Sequence, residues 1–117
     1  MEKQNLIVEM TEKFAVKIIE FHVQVKNAGV PTMAEQLFKS GTSVGANVSE
    51  AQNAESRRDF IHKMKIAAKE GDETAFWLKL CTQSPRLPDP GELAAEIKSI
   101  NKVLNRIIAS AKTNLPD

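Results

Sequence analysis

The stretch Leu93-Ala94-Ala95-Glu96-Ile97-Lys98-Ser99-Ile100-Asn101-Lys102-Val103-Leu104-Asn105-Arg106-Ile107-Ile108-Ala109-Ser110-Ala111 decides the fold. Leu93, Ile97, Ile100, Leu104, Ile107 and Ala111 recur at steps of four, three, four, three and four. That spacing lays the apolar side chains along one stripe of a long α-helix and requires other helices to cover it. Just ahead, Asp89-Pro90-Gly91-Glu92 offers an N-cap, a proline at the first helical position and an acid in the first turn. Ser84-Pro85-Arg86-Leu87-Pro88 before it reads as a loop.

The same period runs backwards through the chain. Ser56, with Asp59 three residues on, opens a helix whose predicted core face is Phe60, Met64, Ala67, Gly71, Ala75 and Leu78. Before that, Thr32-Met33-Ala34-Glu35 has capping-box spacing, and Met33, Leu37, Gly41, Val44, Val48 and Ala51 line one face to about Ala54. The first helix is predicted from Asn5 to Ala28, with Ile7, Met10, Phe14, Ile18, Phe21 and Val25 inward and Gly29 as its stop. No stretch alternates over strand length. Three helices of more than 20 residues, about 30 Å each, joined by short connections, predict an all-α, antiparallel up-down-up-down four-helix bundle. At 117 residues the chain is a single domain, residues 1–117.

Composition narrows the function classes. Sixteen basic residues face 15 acidic ones, so the overall field is weak and any anion binding must be local. The single cysteine, Cys81, excludes an internal disulfide and fits a reducing compartment. Charge interrupts every apolar run, so neither a signal peptide nor a membrane span is expected and a cytoplasmic location is.

The motifs that suggest catalysis lack their contexts. Gly41-Thr42-Ser43-Val44-Gly45 matches the nucleophile elbow in letters, but no strand precedes it. The lysine of a phosphate-binding loop is missing after it. The run Ser40, Gly41, Ser43, Gly45 and Ala46 reads instead as small residues admitting another backbone. Asp59 and His62 have the spacing used in di-iron bundles, but His22 has Ile19, not an acid, three residues before it. No nucleophile–base pair, metal set, cofactor or small-molecule substrate is expected, and catalytic residues are assigned nowhere.

Two surface features remain. Arg57, Arg58, Lys63, Lys65 and Lys69 load the first half of the third helix, against the preference of its macrodipole, and form the candidate nucleic-acid-binding set. Val8, Val16, Ile19 and Val23 make a second apolar stripe on the first helix, more than one bundle needs. Ser40, Ser43, Asn47 and Glu50 on the second helix, and Ile66, Glu70, Glu73, Trp77 and Leu80 on the third, form mixed rows. Ser43, Asn47, Glu50, Ile66, Glu70, Glu73 and Trp77 are the candidate subunit interface, the two rows expected to hydrogen-bond across a packed surface.

Gln36-Leu37-Phe38-Lys39-Ser40-Gly41-Thr42-Ser43-Val44-Gly45-Ala46-Asn47-Val48-Ser49-Glu50-Ala51 resembles the signature of the four-helix-bundle family encoded in intervening sequences of bacterial 23S rRNA genes. The block from Ser56 to Leu80 is similar too, through Asp59-Phe60-Ile61-His62-Lys63-Met64, Lys69-Glu70, Glu73-Thr74 and Trp77-Leu78. Lys39 stands where arginine is usual and Phe76 where a tyrosine commonly precedes the tryptophan. The resemblance implies a ring-like homo-oligomer, a pentamer, related to the basic accessory protein of diversity-generating retroelements that binds nucleic acid and a reverse transcriptase. Two functions are therefore expected in order: a non-enzymatic oligomer that contacts RNA through its basic patch, and a protein-interaction scaffold that binds no nucleic acid.

Overall fold

The computed structural model describes residues 2–115, with side chains from residue 6 onward. Four helices account for nearly all of it: α1 (Glu2–Asn27), α2 (Pro31–Ala51), α3 (Arg57–Gln83) and α4 (Leu93–Thr113). No strand occurs among the described residues. The bundle measures 50 × 23 × 20 Å, a rod drawn out along its helices.

Pairs of contacts fix the directions. Gly41 lies against Ile18 and Gly45 against Thr11, so α2 descends as α1 rises. Thr74 meets Ser40 and Lys63 meets Glu50, so α3 reverses α2. Asn101 meets Gly71 and Lys112 meets Lys65, so α4 reverses α3. Lys17 on α1 reaches Glu96 on α4 at 2.9 Å and closes the ring of helices. The order is up-down-up-down, as the sequence predicts.

Helix ends follow local chemistry, with two corrections. Gly29, at φ +92°, ends α1 in a Schellman motif: Val30 N–H donates to the Val25 carbonyl and Gly29 N–H to that of Lys26. Thr32 is not the cap of α2. Pro31 already occupies the first turn, and Val30 is the N-cap without a side-chain bond, because proline's fixed φ suits that position. At α3 the reading holds. Ser56 Oγ accepts from Asp59 N–H at 3.0 Å, and the Asp59 carboxylate accepts from Glu55 N–H at 3.2 Å. Asp89 does not cap α4. It accepts from Gly91 N–H in a turn completed by Gly91 at φ +61°, which holds the chain out of helix until Leu93.

The core contains Phe14, Ile18, Leu37, Val44, Met64, Leu78, Ile97 and Leu104, each inaccessible to solvent. At three places packing chose the neighbour of the predicted residue. Ile61, Thr74 and Ile108 are buried, while Phe60, Ala75 and Ile107 are half-buried. Adjacent positions sit about 100° apart on the wheel, so a few degrees of helix rotation decide between them. Buried Thr11 donates to the Ile7 carbonyl at 2.9 Å, a local bond that lets a hydroxyl enter the core.

Candidate nucleic-acid and subunit interfaces

Arg57 and Arg58 follow the Ser56 cap and are exposed. Arg58, His62, Lys65 and Lys69 then recur at steps of four, three and four, so they share one outward face of α3. Lys63 does not join them. Its ammonium turns to α2 and pairs with Glu50 at 3.2 Å, so it stands apart from the row.

The fold adds residues that the sequence reading missed. From Ile97 to Leu115 the chain carries four cations and no acid. Because α4 runs antiparallel to α3, this acid-free half lies beside the basic half of α3. Exposed Lys102, Arg106 and Lys112 therefore extend the patch onto a second helix. The proximity of Lys65, and then its like charge, hold the Lys112 ammonium below its usual pKa. Neither ion pair of the described residues, Lys17–Glu96 or Lys63–Glu50, involves these cations. Asp59, the one acid in the first half of α3, is occupied at the helix cap. From Arg57 to Lys69 the patch runs about 18 Å along α3.

The candidate subunit rows lie along the α2–α3 seam. Ser43, Asn47, Ile66, Glu70 and Trp77 are half-buried, whereas Glu50 and Glu73 are exposed. Apart from the Glu50–Lys63 pair, their hydrogen bonds run along each helix. Asn47 donates to the Ser43 carbonyl at 2.9 Å, and Trp77 Nε1 donates to the Glu73 carboxylate at 3.0 Å. The bond that crosses the seam in the core is a buried one, between Thr74 and Ser40 at 3.0 Å. Desolvation, and then the neighbouring Glu73, push the Glu70 carboxyl above the ordinary carboxylate range.

A third surface lies on α1. Val16, Ile19 and Val23 are 53%, 45% and 45% exposed, on the side of the helix facing away from the core. Val8, predicted with them, packs partly onto the core instead. Phe76 of α3 is likewise 52% exposed and packs edge-on against Trp77.

The model of the family described as 23S rRNA-intervening sequence protein matches residues 3–106. The chain belongs to that family. A crystallised protein of unknown function from the S23 ribosomal protein family of Bacteroides thetaiotaomicron VPI-5482 is 36% identical, with a TM-score of 0.84 over 92% of this chain and 98% of that one. No curated protein matches.

The two blocks that carry the family resemblance, Gln36–Ala51 and Ser56–Leu80, are α2 and α3, and the small residues of the first block have a packing role. A Cβ on Gly45 would stand 3.1 Å from the Thr11 carbonyl oxygen, and one on Gly41 2.8 Å from Ile18. This glycine run is thus where α2 lies on α1, inside a helix and not on a strand-to-helix turn. His62 is exposed beside the patch. Burial pushes the Cys81 thiol up to about 11, which leaves it protonated and unreactive at neutral pH. No group of three or more histidine, cysteine or acidic side chains gathers for a metal among the described residues. No described helix is long and apolar enough to cross a membrane.

Proposed function

We propose that this member of the 23S rRNA-intervening sequence protein family is a non-enzymatic, self-associating bundle that holds RNA on the basic face of α3 and α4. One observation carries the reading. Two cationic segments separated in sequence are placed side by side, with no ion pair to a carboxylate among the described residues apart from that of Lys63. Phosphate backbones are bound by such clusters through counterion release, and self-association into a ring, a pentamer by family resemblance, multiplies a modest patch by avidity. The subunit contacts in this reading use the α1 stripe and the half-buried row around Glu70 and Trp77. A cytoplasmic setting agrees with the buried free thiol.

The test is fluorescence anisotropy with a labelled RNA across a salt series. Affinity is expected to fall steeply with salt and to drop on Arg57→Ala/Arg58→Ala. Binding indifferent to both changes ends this reading. The exposed apolar stripe on α1 favours a second one, a protein-interaction scaffold without nucleic acid, whose partner would bind with an affinity nearly independent of salt.

A further inference from the structure

Resting on the RNA reading of this face, we infer that its ligand is a base-paired RNA helix gripped by its phosphates and sugars, not an unpaired strand. Surfaces that bind single strands combine cations with exposed aromatic rings, because unstacked bases need a platform. The α3–α4 patch has the cations but no Phe, Tyr or Trp platform; the one ring in its row is the small imidazole of His62. α4 contains no aromatic residue. Phe60 packs against the core. Phe76 and Trp77 lie seven and eight residues beyond Lys69, about 10 Å further along the helix. They share that half of α3 with Asp72 and Glu73, whose charges repel a backbone tracking toward them.

What the patch does present suits a duplex. Cations on two packed helices, whose axes are held about 8–10 Å apart, form a rigid double row, and rigid rows match the fixed phosphate lattice of a helix better than a pliant strand. The wide, shallow minor groove of A-form RNA displays its 2′-hydroxyls between the phosphate ridges. Asn105 is exposed on the same stretch of α4, between Lys102 and Lys112. Its carboxamide can both donate to and accept from such a hydroxyl. Lys65 and Lys112, exposed on either side of the α3–α4 seam, can bracket a single phosphate.

The experiment compares three labelled probes on the full chain at equal salt: an RNA hairpin with a fully paired stem, an RNA strand of the same length without self-complementarity, and the DNA hairpin of the same stem. The expected result is hairpin RNA bound at least about tenfold more tightly than the unpaired strand, with a salt slope set by several phosphate contacts. Lys65→Glu/Lys112→Glu is expected to remove hairpin binding while circular dichroism shows unchanged helix content. Lys65→Gln/Lys112→Gln serves if the reversed charges disturb folding. Asn105→Ala is expected to shrink the preference for RNA over DNA hairpin. An unpaired strand bound as tightly as the hairpin overturns this inference while the RNA reading stands. Binding of neither RNA removes both.

Discussion

Asn101 of α4 extends its carboxamide oxygen into the space that a Cβ on Gly71 of α3 would fill, and that oxygen is buried without a hydrogen-bond partner. The close approach of the two helices here is therefore made by a movable side chain. At Gly45 the neighbour is the Thr11 carbonyl, which is backbone, and at Gly41 it is the branched, fully buried Ile18. Three helical glycines thus face three obstacles of different stiffness.

Alanine at these sites separates them. Each replacement gains up to about 1 kcal/mol of helix propensity. At Gly71 the Asn101 amide swings out toward water, so Gly71→Ala is expected to change stability by less than about 0.5 kcal/mol, the scale of an ordinary surface change. Gly41→Ala and Gly45→Ala must move packed atoms and are expected to lose about 1–3 kcal/mol from overpacking. Urea denaturation of the three variants provides the check, and equal responses would contradict the assignment of obstacles.

The Ser40–Thr74 bond locks the register of α2 on α3 from inside the core. Thr74→Val keeps the shape but leaves the Ser40 hydroxyl only its long 3.4 Å contact to the Leu37 carbonyl. A loss of about 1 kcal/mol is expected, and Ser40→Ala/Thr74→Val should cost less than the sum of the single changes. A double-mutant cycle with no coupling would show that the bond does not stabilise the seam.

The bundle was legible because its signal is periodic and local. The 4-3-4 spacing from Leu93 to Ala111 survives any detail of packing, as do the Gly29 stop and the Ser56 cap. The choice between Ile107 and Ile108, or Phe60 and Ile61, was not legible, since both candidates are apolar and only the neighbouring helix selects one. The caps at Thr32 and Asp89 were misread because a proline beside each competes for the same turn. Lys112 could not have been added to the patch from sequence at all. It lies 47 positions after Lys65, and only the antiparallel return of α4 brings the two together. Lys63 shows the converse: close in sequence to the other cations, it is turned away by its partner Glu50.

Glu70 gives the bundle a pH dependence of defined sign. Its carboxyl is raised above 4.5 by burial and by Glu73, so the folded chain takes up the proton before the unfolded chain does. From this group, stability rises as pH falls through the raised folded value, levels off below the unfolded value, and is lower on the alkaline side. Glu70→Gln removes the ionisable group and is expected to stabilise the protein at neutral pH while flattening that rise. Denaturation curves in mildly acidic and neutral buffer test it, and a variant less stable at neutral pH would show that the carboxylate is instead favourably paired.

The unpaired cations of α3 and α4 repel one another, so salt should stabilise the free protein. The screening length is about 10 Å at 0.1 M ionic strength and shortens as salt is added, which is enough to weaken repulsion along the patch. The melting temperature is expected to rise with added sodium chloride. Lys65→Gln should raise it at low salt, through a stabilisation below about 1 kcal/mol as for exposed charge pairs, and reduce its salt dependence. A melting temperature that falls with salt would mean that attractive pairs, not these cations, dominate the surface.

The α1 stripe distinguishes an idle apolar surface from a joint between copies. Val16, Ile19 and Val23 are about half exposed, so in an isolated bundle a lysine at Ile19 should change folding stability by no more than about 0.5 kcal/mol. If copies meet on this face, the same substitution places a charge in a desolvated contact, which costs several times that amount. Ile19→Lys is therefore expected to leave helix content unchanged and convert the assembly to monomer in sedimentation velocity at micromolar concentration. Stability must be compared at equal protomer concentration, because association itself stabilises folded subunits by mass action. Ile19→Val, which keeps an apolar side chain there, should preserve the assembly. If the parent protein sediments as a monomer, the assembly reading fails; if it sediments as an oligomer and Ile19→Lys leaves the coefficient unchanged, the joint lies elsewhere, with the row around Glu70 and Trp77 as the next face to test.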